Sequence, residues 1–134
     1  NQLWNLPPLK GRIFAVDWSL DGKLIAAGSS LDGKGAVHIY GINPEYKVPG
    51  DIDGIIKKPV QNRNDGERKK LSDYFNNGIQ TLAKIDSINS GVYAMAFTPD
   101  GTRLAAAGSD GHVRIYGTAN GNQITDFIPV TLKP

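Results

Sequence analysis

Two stretches of this 134-residue chain are the same unit written twice. Ile13-Phe14-Ala15-Val16-Asp17-Trp18-Ser19-Leu20-Asp21-Gly22 aligns with Val92-Tyr93-Ala94-Met95-Ala96-Phe97-Thr98-Pro99-Asp100-Gly101, with Phe14 and Tyr93 79 residues apart. The match runs on through Ile25-Ala26-Ala27 against Leu104-Ala105-Ala106. It closes with Gly35-Ala36-Val37-His38-Ile39-Tyr40 against Gly111-His112-Val113-Arg114-Ile115-Tyr116. By then the spacing has fallen to 76 residues, Tyr40 to Tyr116, so the first copy carries three extra residues between its second and third strands. A unit this short cannot bury its own apolar faces and must stack on neighbours of its own kind.

Within each copy the pattern is that of short strands. Ile13 to Trp18 and Val92 to Phe97 are dense in branched and aromatic residues and run into Asp-Gly turns. Leu24 to Ala27 and Leu104 to Ala107 follow as second strands, rich in small residues that let another sheet come close. Val37 to Tyr40 and Val113 to Tyr116 are third strands, and Ile79 to Ile85 and Gln123 to Ile128 are read as fourth strands, the latter entered through Asn120-Gly121. Each copy is therefore expected to be a four-stranded antiparallel meander.

Between the third and fourth strands of the first copy lies a segment that the second copy lacks. From Gly41 to Asn77 it passes Pro44, Pro49 and Pro59 and then a charged stretch. That stretch is expected to be a helix capped by Asn64 or Asp65, with Leu71, Tyr74 and Phe75 as one apolar stripe and Gly78 at the C′ position. A second, shorter helix is read over Asp51 to Lys58.

These residues resemble the blade consensus of the WD-repeat β-propeller family. The likeness lies in Ser19-Leu20-Asp21-Gly22 and Thr98-Pro99-Asp100-Gly101, in Gly28-Ser29 and Gly108-Ser109, and in Val37-His38-Ile39-Tyr40 and Val113-Arg114-Ile115-Tyr116. The chain departs from that family where third strands end in Trp-Asp, having Tyr40-Gly41 and Tyr116-Gly117 instead. The family's His, four residues before the first strand, is replaced by Leu9 and Ile88. The family's His-Ser-Trp-Asp network therefore cannot form, Asp32 and Asp110 remain as turn residues, and the blades are expected to rely on apolar stacking. The inserted segment, through Lys58-Pro59-Val60, Glu67-Arg68-Lys69-Lys70-Leu71, Asp73-Tyr74 and Gly78, is similar to an insertion in propellers of large secreted bacterial proteins that also carry c-type-cytochrome-like modules. That resemblance implies an extracytoplasmic or periplasmic setting.

The resemblance implies an all-β fold: a β-propeller segment of two four-stranded antiparallel blades with a helical insertion between strands three and four of the first. Residues 1–9 are assigned to an extended arm or the outer strand of a preceding blade, Gln2-Leu3-Trp4-Asn5-Leu6 being its strand-like part. Residues 10–86 are the first blade, including the insertion at 42–77, and residues 87–134 are the second. In the family, the position of Phe14 and Tyr93 tends to face the top of the ring, where partners bind. These two aromatics, with Arg12 beside them, are the candidate partner-binding residues, set against plain packing between blades. Arg68, Lys69, Tyr74 and Phe75 are the candidate docking surface of the insertion.

Enzyme-like motifs fail on their own chemistry. Gly28-Ser29-Ser30-Leu31-Asp32-Gly33-Lys34 fits the start of a phosphate-binding loop, but Gly35 stands where a hydroxyl is needed, Asp32 repels phosphate, and a strand follows instead of a helix. Asp51-Ile52-Asp53-Gly54 lacks the remaining ligands of a calcium loop. His38 and His112 fall at non-equivalent positions, no G-x-S-x-G occurs, and the absence of Cys removes disulfides, thiolate metal sites and thiol nucleophiles. No catalytic residue, metal site or cofactor is expected. The basic residues Lys57, Lys58, Arg63, Arg68, Lys69 and Lys70 are offset by Asp65 and Glu67, so a solvated helix is expected in place of nucleic-acid binding. No apolar run approaches a membrane span, and no membrane insertion is expected.

Two blades leave two faces open. At about 25 cal/mol per Å², about 400 Å² of exposed apolar area per face forfeits on the order of 10 kcal/mol, comparable to a whole domain's stability. The expected partners are thus the remaining blades, from the same parent protein, a companion chain or further copies of this one, together with other proteins. The start at Asn1 and stop at Lys133-Pro134 fit a processed product or fragment. The expected function is a non-enzymatic protein-interaction scaffold. The competing expectation is a propeller component of an extracytoplasmic redox or hydrolytic enzyme complex whose cofactor lies on another chain or domain.

Overall fold

Each copy of the repeat folds as one four-stranded antiparallel sheet in simple up-and-down order. The computed structural model describes residues 4–42 and 47–130; Gln2, Leu3, Pro44, Lys133 and Pro134 lie outside the described residues. Blade 1 consists of β1 (Arg12–Trp18), β2 (Leu24–Leu31), β3 (Lys34–Gly41) and β4 (Gln80–Ile88). Blade 2 consists of β5 (Val92–Phe97), β6 (Arg103–Gly108), β7 (Val113–Gly117) and β8 (Gln123–Phe127). Two α-helices, α1 (Gly50–Lys57) and α2 (Asp65–Asn77), and one 3₁₀ turn (Val60–Asn62) are inserted between β3 and β4.

The first turn of each blade is built the same way. Ser19 Oγ donates to Asp21 Oδ1 at 2.6 Å, and that carboxylate also accepts from Lys23 N; Thr98 Oγ1 donates to Asp100 Oδ1 at 2.6 Å, which accepts from Thr102 N. Hydrogen bonds from Thr98 and from Thr102 hold the Asp100 carboxyl at about 2. The three extra residues of the first copy lengthen the β2–β3 hairpin. Its strands pair from Leu24↔Gly41 to Leu31↔Lys34 and reverse through Asp32 and Gly33, both with positive φ. The segment that resembled a phosphate loop is therefore a hairpin, with a strand on each side of its turn.

The insertion carries a small core of its own. The Asn64 side chain accepts from Glu67 N at 2.8 Å while the Glu67 carboxylate accepts from Asn64 N, a reciprocal cap that starts α2 where the sequence placed it. Leu71 and Phe75 then pack with Ile52 and Ile55 of α1. Gly78 ends α2 with φ −74°, in the right-handed region, so it does not supply a left-handed turn. Its missing side chain instead leaves room for the Trp4 indole, which a Cβ would overlap.

The main core lies between the blades. Ala26, Val37, Ile39, Ala83 and Ile88 of blade 1 meet Val92, Leu104, Ala106 and Tyr116 of blade 2, with Ile85, Met95 and Phe97 at the margin. Small residues on blade 1 permit the approach. A Cβ on Gly28 would lie 2.6 Å from Val92 Cγ1, and one on Gly35 would overlap the Ser90 carbonyl oxygen. Asp17 adds one polar tie, its carboxylate accepting from Phe97 N at 2.8 Å across the interface.

Candidate functional site

Phe14 and Tyr93 are bulge residues. In blade 1, Ile13 pairs with Ser29 and Ala15 with Gly28, leaving Phe14 without a cross-strand partner; in blade 2, Val92 pairs with Gly108 and Ala94 with Ala107, leaving Tyr93 in the same state. A bulge bends the strand and re-aims the extra side chain. Here it brings the two rings together from adjacent blades, centroids 4.9 Å apart and planes inclined at 58°, while each stays about half exposed (50% and 47%). Packing between blades and presentation to solvent are thus both true of this pair. Arg12 is exposed at the start of β1, two residues before Phe14.

The docking surface expected on the insertion divides. Arg68 and Lys69 are exposed, but Tyr74 is only partly exposed and Phe75 is 8% exposed, its ring meeting that of Tyr74 at 5.6 Å. Phe75 belongs to the core between α1 and α2 and is not available for docking. The stripe read from the sequence was sound as an apolar face, but a second helix covers it. The basic residues are also largely committed. Lys57 pairs with Asp53, Lys58 with Glu67, Lys70 with Asp51 and Arg68 with Asp65, and Arg63 donates to the Ile56 and Lys58 carbonyls.

Polar groups contribute more than apolar stacking alone would require. Ser90, two residues past the Ile88 that replaces the family His, is 2% exposed. Its Oγ donates to Gly91 O, lies 3.3 Å from Ser109 Oγ and accepts from Asp110 N at 3.2 Å. A hydroxyl thus holds the β6–β7 turn where an imidazole was missing. The third and fourth strands are likewise tied in both blades. His38 Nε2 lies 2.6 Å from Asp86 Oδ1, and its Nδ1 meets Tyr40 Oη at 3.2 Å. At the matching place in blade 2, Arg114 binds Asp110 at 2.5 Å and reaches Asp126 at 3.7 Å, while His112 Nδ1 contacts Asp126 Oδ1. Arg114, then the His112 N–H, hold the Asp110 carboxyl at about 2, and burial followed by the Asp86 charge pushes the Tyr40 hydroxyl up to about 12. These groups lock strands together. Among the described residues, no group of three or more His, Cys, Asp or Glu is arranged to hold a metal ion.

The residues of each blade's faces can be assigned once the copies are superposed in register. Blade 1 covers blade 2 with Ala26, Gly28, Val37 and Ile39; the counterparts on blade 2 are Ala105, Ala107, Val113 and Ile115, and all four are partly open. Blade 2 in turn docks through Val92, Met95 and Phe97, whose counterparts Ile13, Val16 and Trp18 are 53%, 55% and 53% exposed. The signal was present in the repeat itself, because equivalent positions face equivalent neighbours.

No curated protein matches the chain in a sequence search. The family model described as WD domain, G-beta repeat matches residues 3–35 and 80–117, a little over half of the chain. Repeats of this kind generally build scaffolds for protein interaction. With two four-stranded antiparallel blades and family matches over a little more than half of its length, the chain belongs to the WD domain, G-beta repeat family.

Proposed function

We propose that this chain is a non-enzymatic interaction scaffold, a two-blade segment of a propeller whose ring is completed by further blades and whose partner binds at the Phe14–Tyr93 pair. What carries the reading is the mismatch between equivalent faces: Val37 and Ile39 are fully buried by blade 2, whereas Val113 and Ile115 stay partly open, and Ile13, Val16 and Trp18 are open on the other side. Burial of such branched and aromatic surface is the main force that closes a ring of blades. The paired aromatics supply a rigid anchor of the type that dominates protein interfaces. The neutralised charges of the insertion favour a protein partner over a phosphate backbone.

Native mass measurement of the purified protein tests the first half: companion blades or a larger assembly are expected, and a stable lone chain of 14.4 kDa refutes the reading. Replacing Phe14 and Tyr93 with Ala tests the second. The expected result is loss of the bound partner with the assembly mass and far-UV spectrum of the blades unchanged. Retention of that partner places recognition elsewhere.

A further inference from the structure

The hydrogen bonds around His38 need one proton more than a neutral imidazole carries. Tyr40, fully buried, donates its single hydroxyl proton to Pro7 O at 3.1 Å, and a carbonyl has none to return. The Tyr40 oxygen can then only accept from His38 Nδ1, 3.2 Å away. On the far side of the ring His38 Nε2 lies 2.6 Å from Asp86 Oδ1, and a carboxylate also only accepts. All three bonds therefore stand together only when both ring nitrogens carry a proton. If the proton between Nε2 and Asp86 rests on the carboxyl instead, the count for the pair is the same.

When that extra proton leaves, the shortage falls on one bond. Nε2 keeps its proton, because Asp86 is the charged partner and the nearer one, and Nδ1 becomes an acceptor facing the Tyr40 hydroxyl. Rotation of that hydroxyl satisfies Nδ1 and takes the donor away from Pro7 O. Ionisation of Tyr40 does not intervene, since burial, then the Asp86 charge, pushes its hydroxyl up to about 12. The other charged groups facing His38 are Lys84, paired across from it on β4, and Lys10, Asp32 and Lys34, which with Asp86 line a hollow of about 400 Å³. From β1 and β2 the residues in line with His38 are Val16 and Ala27, which bring no charge. Blade 2 is built differently at this point. Arg114 stands in the place of His38 and Tyr116 in that of Tyr40, and the guanidinium, paired with Asp110 and reaching Asp126, stays charged throughout.

We propose that the His38–Asp86 pair is a proton-dependent latch on the segment ahead of β1: with the pair protonated Tyr40 holds Pro7, and with the proton gone Tyr40 turns to His38 and Pro7 is released. The hold is thus present at lower pH and lost as pH rises through the titration of His38. Asn5, bonded to Phe75 O and Asn76 Oδ1, contains no titrating group and tethers the start of the segment in both states, so the release is confined to Pro7 and the residues leading into β1. Asp86, with its side chain 58% exposed, connects the buried ring, in a residue 4% exposed, to solvent protons. Blade 2, with arginine in the same place, has no such step. The latch is independent of the scaffold reading.

The test is an NMR titration of the native protein with whatever chains accompany it on purification. Pro7–Pro8 is the only Pro-Pro bond in the chain, so proline labelled with ¹³C at the carbonyl and ¹⁵N in the ring gives the Pro7 carbonyl a signal of its own. Histidine labelled with ¹⁵N reports which nitrogen of His38 carries a proton, and His112→Asn removes the other histidine. As pH rises, Nδ1 is expected to lose its proton while Nε2 keeps its own, and the Pro7 carbonyl shift is expected to move with the same midpoint. Amide exchange at Leu9 and Lys10 should rise severalfold beyond its intrinsic increase with pH. Tyr40→Phe should leave His38 titrating and abolish the Pro7 step. If Tyr40→Phe does not fold, Asp86→Asn should move both midpoints together to lower pH. Loss of the Nε2 proton first, a Pro7 carbonyl indifferent to the titration of His38, a Pro7 step that survives Tyr40→Phe, or midpoints unmoved by Asp86→Asn overturns the latch.

Discussion

The two glycines of β3 give the most direct test of how the blades are held together, because the same substitution in the same strand should have opposite outcomes. At Gly41 an added Cβ meets only the Leu82 side chain, at 3.6–3.7 Å, which is ordinary contact. Gly41→Ala should be neutral or stabilising by up to about 1 kcal/mol, since it removes backbone freedom from the unfolded chain. At Gly35 the added Cβ overlaps the Ser90 carbonyl oxygen and lies 3.0 Å from Ser29 O and 3.1 Å from Val92 Cγ2. Carbon and carbonyl oxygen meet at about 3.3 Å even in their closest favourable contacts. Neither carbonyl is the end of a flexible side chain, so no rotamer change relieves the overlap and the two sheets must separate locally. Overpacking of this kind costs about 1–3 kcal/mol, and the upper end is expected because Val37 and Val92 beside it are 0% and 2% exposed. Urea unfolding followed by tryptophan fluorescence would read both midpoints. Equal midpoints for the two variants would refute the claim that backbone closeness between blades sets this stability.

Acid should loosen blade 2 in a defined window. The Asp110 carboxyl is held at about 2 in the fold against an ordinary 3.8, so its contribution is present above pH about 4 and is lost as pH falls toward 2. Asp110→Asn should flatten that part of the stability–pH curve, by no more than about 1 kcal/mol for so exposed a pair. An unchanged curve would contradict the role given to Arg114. Ser90→Ala should destabilise blade 2 by about 1–2 kcal/mol by leaving Asp110 N without its acceptor, and Ser90→Thr should restore little because the site is 2% exposed. Asn64→Ala removes the cap of α2 and should cost about 1 kcal/mol. Amide exchange should rise in α1 and α2 together, as their shared core demands, while exchange in the blades stays constant.

Strands and turns were legible because the repeat states them twice. An alignment of Ile13–Gly22 with Val92–Gly101 constrains both copies, and side chains such as Ser19 and Thr98 act within five residues of their own position. The start of α2 was legible for the same reason, its cap being local to Asn64 and Glu67. What escaped the sequence depended on contacts between distant segments. Phe75 read as an exposed anchor until α1 was seen to cover it, and Gly78 read as a turn residue although Trp4 explains it. The exposed aromatics at 14 and 93 were found, yet the reason they protrude, one unpaired residue in each ladder, is a matter of register that no local pattern records. Ser90 was missed because a hydroxyl replaces an imidazole at a different position from the one where the family pattern directs attention.

The two bulges free one side chain in each blade from the demands of the ladder. Since residues 14 and 93 have no partner in the ladder, the pairs on either side of them, Ile13↔Ser29 with Ala15↔Gly28 and Val92↔Gly108 with Ala94↔Ala107, close around them whatever side chain they carry. Rewriting these two positions would therefore alter the ring contact between the blades and the surface they expose while leaving both hydrogen-bond ladders in place.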